Sequence, residues 1–229
     1  VDGVNLVSEN LPEILQLKQD IFHSLGEISL PETILTTDTS GLSITEIAQH
    51  TAHPGRVAGM HWWNPPHIVP LVEIVRGEQT TDDTVNTLYT LLGKLDKTPV
   101  VVKKDVPGFI GNRIQSAIVR EVLALLEDGV AEPEDIDAVM KYGPGFRYAA
   151  IGPVQAMDLA GLDTVMMVAE YLFKEIDRST KPNKLLKKLV KDGRLGAKTG
   201  TGIYQYTPES LSRIIRERDE KFIRLIGLS

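Results

Sequence analysis

Two side chains twelve positions apart, His61 and Glu73, could together move a proton. His61 ends an apolar segment that starts at Val57 and precedes the stretch Trp62–Pro66, so we expect it at the carboxyl end of a strand. Ligands bind at that edge in open α/β sheets. An imidazole with an ordinary pKa of roughly 6.5 suits proton transfer near neutral pH. The alternative is a structural histidine whose ring nitrogens are satisfied within the fold.

Glu73 interrupts the apolar run Leu71–Val75. A carboxylate buried in such a strand costs free energy unless a cation or hydrogen-bond donors compensate it. A protonated histidine or an arginine would be a suitable partner. The alternative is a strand with one solvated face, on which Glu73 points into water.

Two further polar residues stand next to expected elements. Asn112 follows the breaker Pro107–Gly111 where a helix is expected to begin, so its amide could bind a small polar group or only nearby backbone. Ser40 follows an expected strand at Thr33–Thr37 and could contact a ligand or cap the helix that contains Ile44.

Other chemistries are excluded or disfavoured. The chain has no cysteine, which removes disulfides, thiolate metal sites and a cysteine nucleophile. His23, His50, His53 and His67 lack metal-ligand spacing, so we expect no metal site. The glycine-rich stretch Gly193–Gly202 lacks the order of a phosphate-binding P-loop.

Composition narrows the class of protein. The 229 residues are 42% hydrophobic and 24% charged, which is typical of globular proteins rather than disordered or fibrous ones. A net charge of −6 disfavours a nucleic-acid partner. No apolar run approaches the roughly 18–20 residues of a membrane span. Because the lack of cysteine fits a reducing compartment, we expect a cytoplasmic protein.

The first hundred residues alternate between strand and helix patterns, which predicts an α/β layer with a mainly parallel sheet. A helix opened by Pro12 is expected to bury Ile14, Leu17 and Ile21. The other expected elements of this region are strands at Val4–Val7, Thr33–Thr37, Val57–His61, Leu71–Val75 and Pro99–Val102, and helices around Ile44 and over Thr80–Lys94.

Beyond the breaker Asp105–Gly108 the apolar period becomes helical. Helices are expected after this breaker, from Pro133, and over Asp163–Glu175, Asn183–Lys191 and Pro208–Ile226. We therefore predict a domain boundary at about residue 104, with an α/β domain before it and an all-helical domain after it.

Six stretches, in the same order along the chain, resemble the 3-hydroxyacyl-CoA dehydrogenase family. They are LVSENLPEILQLKQDIF, ILTTDTSGLSITEIA, GMHWWNPPHIVPLVEIV, KDVPGFIGNRI, GPVQAMDLAGLDT and GRLGAKTGTGIY. Each alone is moderate evidence, and together they make the resemblance specific.

The resemblance implies a Rossmann-type NAD-binding domain followed by a helical domain that binds substrate and forms a homodimer. Residues 1–104 would be the C-terminal part of the first domain and residues 105–229 the second. None of the 19 glycines forms the GxGxxG fingerprint of the family's N-terminal half. We therefore expect about 80 further residues upstream in the native protein.

The resemblance also implies the reaction, which is oxidation of L-3-hydroxyacyl-CoA to 3-ketoacyl-CoA with NAD, a step of fatty-acid β-oxidation. His61 would take the proton of the 3-hydroxyl, and Glu73 would orient and stabilise the imidazolium. Ser40 and Asn112 would bind or position the substrate oxygen.

The cofactor residues implied in the same way are Glu13, Lys18 and Ser40, near the ribose and nicotinamide. Asp38 also lies beside the cofactor, where many relatives have asparagine. The additional negative charge of Asp38 could alter cofactor affinity.

One stretch, GPGFRYAAIGP, instead resembles the L-gulonate 3-dehydrogenase branch of the family. Arg147 within it would meet a substrate carboxylate, unless it is a surface or packing arginine. Two alternatives to the acyl-CoA reaction therefore stay open. One is a dehydrogenase of a free 3-hydroxy acid such as L-gulonate, and the other is a non-catalytic, recruited structural protein.

Overall fold

The computed structural model describes residues 3–227 of the 229-residue chain. These residues divide into two compact units. The first, here called the α/β unit, contains the chain up to Ile114 and again from Ile215 onward. The second, here called the helical unit, is Gln115–Ile214. The predicted domain boundary at residue 104 stays a prediction, because compact units reflect contacts whereas a domain must be able to fold alone.

Within residues 3–227 a five-stranded sheet forms the centre of the α/β unit, in the order β1-β2-β3-β4-β5. Its strands are β1 (Leu6–Glu9), β2 (Ile34–Thr37), β3 (Val57–Trp62), β4 (Leu71–Arg76) and β5 (Thr98–Val102). β1, β2 and β3 run parallel, and β5 is parallel to β4. The predicted mainly parallel α/β sheet is thus confirmed.

β4 runs antiparallel to β3. The connection between them is the short segment Trp63–Pro70. A parallel pair needs a crossover of roughly a dozen residues or more, so this short segment reverses the chain direction instead.

Helices cover both faces of the sheet because apolar side chains alternate along the strands. Leu35, Val57 and Val75 join one core cluster with α1 (Leu15–Ile28) and α2 (Ile44–Ala48). Ile34, Ala58 and Ile74 join a second cluster with α3. α3 spans Asp82–Lys94 and is capped by the Thr81 hydroxyl, which accepts the amide of Thr84.

The expected start of α1 was wrong, and its expected apolar face was right for Ile21, which packs against the core, but not for the other two residues. The helix begins at Leu15 rather than at Pro12, and the exposed fractions of Ile14 and Leu17 are 56% and 37%. Its buried residues are Lys18, Phe22 and Gly26. A lysine on the buried face cannot be foreseen from apolar spacing, since its burial depends on a carboxylate elsewhere in the fold.

The helical unit contains most of α4 and the helices that follow it. They are α4 (Gly111–Glu127), α5 (Pro133–Tyr142), α6 (Pro144–Ala150), α7 (Pro153–Ala160), α8 (Leu162–Leu172), α9 (Lys184–Lys191) and α10 (Pro208–Ile226), of which α10 ends in the α/β unit. Several of these helices start at a proline, whose fixed φ suits the first helical position. No helix within residues 3–227 is long and apolar enough to cross a membrane.

Candidate active site

His61 and Glu73 face each other across two neighbouring strands. The antiparallel register of β3 and β4 places them directly opposite, and His61 Nδ1 lies 2.8 Å from Glu73 Oε2. Both side chains are buried. An ionised carboxylate only accepts hydrogen bonds, so Nδ1 carries the proton and donates it. The other ring nitrogen, Nε2, is therefore the one with a free lone pair for a substrate proton.

The Glu73 carboxylate receives hydrogen bonds on both of its oxygens. Oε1 accepts the backbone amides of Ile110 at 3.1 Å and Gly111 at 3.0 Å, at the start of α4. Oε2 accepts the Trp63 indole Nε1 at 3.4 Å in addition to the imidazole. Burial works to raise the pKa of Glu73, but the hydrogen bonds from His61, the two amides and the indole hold it below its usual value. Glu73 is thus a buried, ionised anchor for the imidazole and not a solvent-facing residue.

Aromatic rings enclose this pair. The ring centroids of Trp63 and Phe109 lie 5.7 Å and 5.6 Å from that of His61. Gly108 and Phe109 have positive φ angles of 75° and 52°, and Phe109 is fully buried. A left-handed phenylalanine is strained, so the surrounding packing must hold it. These two residues come immediately before Ile110 and Gly111, whose backbone amides bind Glu73.

Ser40 and Asn112 are brought together by the fold. Asn112 Nδ2 donates to the backbone carbonyl of Ser40 at 2.8 Å, which ties the loop after β2 to the start of α4. The amide of Asn112 binds a backbone carbonyl distant in the sequence rather than a neighbouring one. The hydroxyl that caps α2 belongs to Ser43, not Ser40, and accepts the Glu46 amide at 3.2 Å. Contact of Ser40 and Asn112 with a substrate stays a prediction. Ser40 is exposed to solvent, and Asn112 is partly buried.

Lys18 lies in a buried ion pair that the sequence reading missed. Its ammonium is 2.8 Å from Glu9 Oε1 and 3.0 Å from Oε2, and it also donates to the Leu11 carbonyl at 3.1 Å. Glu9 further accepts the Thr37 hydroxyl at 2.6 Å and the Leu11 amide. Lys18 therefore holds the turn after β1 from the buried side of that turn. Its direct contact with a cofactor stays a prediction. The available signal was Glu9 itself, a carboxylate ending an apolar strand.

Glu13 joins the loops that follow β1 and β2. Its Oε1 accepts the Thr39 hydroxyl at 2.6 Å and the Ser40 amide at 3.0 Å, and its Oε2 lies 3.8 Å from Lys18 Nζ. The Glu13 side chain is 45% exposed. It is held in place and still open to a ligand.

Asp38 joins the ends of β2 and β3, because its Oδ1 accepts the backbone amide of Trp62 at 2.8 Å. Partial burial is the largest cause that raises the pKa of Asp38 above its usual value. The hydrogen bond from Trp62 and the charges of His61 and Lys18 oppose this rise, and the charge of Glu9 adds to it. Asp38 therefore lies within electrostatic reach of the imidazole.

These residues fit a nicotinamide nucleotide. Glu13, Asp38 and Ser40 lie at the carboxyl edge of the parallel strands β1 to β3, which is where open α/β sheets bind dinucleotides. A half-exposed carboxylate whose position is fixed by two donors suits the hydroxyls of a ribose. Arg147 lies in α6 of the helical unit with an exposed side chain, and its role stays a prediction.

Two family models match the chain in succession. The first, described as 3-hydroxyacyl-CoA dehydrogenase, NAD binding domain, matches residues 1–106. The second, described as 3-hydroxyacyl-CoA dehydrogenase, C-terminal domain, matches residues 108–206.

Known proteins are similar over most of the chain. The 5-formyl-3-hydroxy-2-methylpyridine 4-carboxylate 5-dehydrogenase of Mesorhizobium japonicum is 39% identical over 97% of this chain and 72% of its own length. A probable 3-hydroxybutyryl-CoA dehydrogenase of Deinococcus radiodurans is 40% identical over 88% of this chain and 72% of its own. A crystal structure of the pyridine-carboxylate enzyme, described as an NAD+ dependent dismutase, has a TM-score of 0.94 at 38% identity and covers 97% of this chain and 72% of that one.

Proposed function

Since the chain belongs to the 3-hydroxyacyl-CoA dehydrogenase family, we propose that His61 and Glu73 carry its NAD-dependent oxidation of L-3-hydroxyacyl-CoA to 3-ketoacyl-CoA. The cofactor is NAD. The observation that carries the proposal is the buried 2.8 Å contact between His61 Nδ1 and Glu73 Oε2. This contact supports an oriented base, because it leaves Nε2 for the substrate.

The protein's part of the reaction is proton removal. A 3-hydroxyl is too weak an acid to lose its proton without a base within reach, and Nε2 of His61 accepts that proton. Glu73, held ionised by its donors, then stabilises the imidazolium and keeps the ring oriented. When bound, NAD supplies the acceptor for the hydride that leaves C3 of the substrate.

Other residues of the loops at this edge would hold the reactants. Ser40 and Asn112, joined through the Ser40 carbonyl, would position the substrate oxygen. Glu13 would accept the ribose hydroxyls, with Lys18 supporting it from the buried side. Asp38 would lie beside the nicotinamide.

An assay of the purified full-length protein tests the reaction and the acyl carrier together. We expect oxidation of NADH with acetoacetyl-CoA, and little reduction of NAD with L-gulonate. Activity with the free acid alone would reject the acyl carrier while keeping the reaction type. If NADH binds but neither these two substrates nor the pyridine carboxylate considered below turns over, the non-catalytic alternative replaces the enzyme.

A second candidate function is a dehydrogenase of a carboxylated small molecule without CoA. The similarity to the pyridine-carboxylate enzyme over 97% of this chain supports it, as does the position of Arg147 in a stretch that resembles free-acid dehydrogenases. The same assay with that 5-formyl pyridine carboxylate and NAD+ discriminates. If the free acid is the substrate, Arg147→Met should raise its KM by about tenfold or more, because a charge-assisted pair is lost.

We also propose that the protein is a homodimer through its helical unit. Leu159, Leu162 and Met166 on α7 and α8 are 72%, 61% and 62% exposed, and exposed apolar surface of this kind favours a partner. We further propose that the protein is cytoplasmic, which the absence of cysteine supports. Its role would be in β-oxidation.

A further inference from the structure

Asp38 differs from the other carboxylates of the site in its surroundings. Glu73 is bonded on both oxygens, and Glu9 is paired with Lys18. Asp38 accepts the Trp62 amide, and no ion pair of Asp38 within 4.0 Å occurs among residues 3–227. The charged groups that act on it are Lys18 from α1, Glu9 from β1 and His61 from β3.

The chemistry of the reaction limits where a cofactor ring can lie. A proton leaves the hydroxyl oxygen and a hydride leaves the carbon that bears it, so the base and the hydride acceptor must both approach the same C–O group. Asp38 accepts a hydrogen bond from the backbone amide of Trp62, which directly follows the base His61. The Asp38 carboxylate therefore lies at the same carboxyl end of β2 and β3 as the base, which is the edge where a ring that accepts the hydride would bind.

The two redox forms of the cofactor differ in charge at that ring. The oxidised nicotinamide carries one positive charge, and the reduced ring is neutral. At a partly buried position, a nearby carboxylate attracts a cation more strongly than it would in water.

We propose that Asp38 makes the protein bind NAD+ in preference to NADH, through the attraction between its carboxylate and the oxidised ring. This inference rests on the proposed function, because it takes His61 as the base. Asp38 would then be a residue that selects the redox state of the bound cofactor. It would favour release of NADH after substrate oxidation and raise the NADH concentration that the reverse reaction needs.

The test is direct measurement of nucleotide affinity without turnover. The Kd values of NAD+ and NADH are measured by titration calorimetry for the full-length wild-type protein and for its Asp38→Asn variant. Asparagine keeps an oxygen that accepts the Trp62 amide, so the loop should retain its shape while the charge is lost. We expect the NAD+ Kd to rise about fivefold to tenfold and the NADH Kd to change by less than about twofold.

Glu32→Gln is the matched control. Glu32 is exposed before the amino end of β2, so the substitution removes the same charge at the opposite end of the same strand. It should change neither affinity.

Each other result contradicts the inference in a recognisable way. An unchanged ratio of the NAD+ and NADH Kd values in Asp38→Asn would show that no charge attraction selects the oxidised form. Equal weakening of the binding of both nucleotides would show that Asp38 has a structural role only. If Glu32→Gln changes the NAD+ Kd as much as Asp38→Asn does, the effect comes from the net charge of the protein and not from the position of Asp38. If the wild type binds neither nucleotide, the NAD-dependent function fails together with the inference, whereas normal binding with an unchanged ratio rejects the inference alone.

Discussion

The α/β unit and the helical unit bury their apolar residues to very different extents. In the α/β unit, two clusters fill the space between the sheet and its helices, with Phe22, Val57 and Ile74 fully buried. In the helical unit, the buried apolar residues within the described part of the chain are Leu123, Ile136 and Leu189. Among the described residues, the α/β unit therefore buries most of the apolar side chains of its sheet, whereas the helical unit exposes large apolar side chains that the proposed homodimer would cover.

The candidate catalytic groups follow the same division. His61, Glu73 and the amides that bind Glu73 all belong to the α/β unit. Proton transfer should therefore respond to substitutions in this unit. Substitutions of exposed apolar residues in the helical unit should change assembly.

The largest effect is expected from removing the base. His61→Gln keeps a polar side chain but cannot accept a proton near neutral pH, so kcat should fall by about 10³-fold. Steady-state kinetics with the substrate found in the assay above measures it. The exposed His67→Gln in the loop between β3 and β4 is the control and should match the wild type. A kcat for His61→Gln within tenfold of the wild-type value would show that His61 is not the general base.

An intermediate effect is expected from filling the space beside Trp63. A Cβ at Gly111 would lie 2.2 Å from Trp63 Cζ2, so Gly111→Ala must displace the indole or the start of α4, both of which bind Glu73. Overpacking of this kind should lower the free energy of unfolding by about 1–3 kcal/mol. Urea denaturation followed by circular dichroism measures the change.

Gly93→Ala is the matched control for this substitution. Gly93 lies in α3, and no atom would lie within 4 Å of an added Cβ. Alanine there should raise the free energy of unfolding by about 0.5–1 kcal/mol, because the unfolded chain loses conformational freedom. Equal stability of the two variants would show that the contact between Gly111 and Trp63 does not constrain the fold.

The smallest effect is expected on assembly. Met166→Lys places a charge on the exposed apolar surface of α8 and should weaken the proposed dimer by about tenfold in Kd, as measured by sedimentation velocity over a concentration series. Thr164→Lys adds the same charge on a different face of α8 and serves as the control. Dimers of Met166→Lys as stable as those of Thr164→Lys would place the interface elsewhere.

Local sequence patterns were sufficient for many elements. β-branched runs bounded by turn residues indicated the strands β2 to β5, and helical periodicity indicated α3 and α10. They were insufficient for α6 and α7, which are short and bounded by glycine and proline, so that neither shows a sustained period. They also missed the later start of α1, because the turn before it is held by Glu9 and Lys18.

The sequence by itself determined which side chains could react and the order of the elements that carry them. It supplied an imidazole at the end of one strand and a carboxylate inside the next. Only the tertiary structure decided that the two meet, because the antiparallel register of β3 and β4 sets which residues lie opposite each other. The same holds for the amides of Ile110 and Gly111 on Glu73 and for the partner of Lys18. These contacts join residues far apart along the chain, and local periodicity carries no information about them.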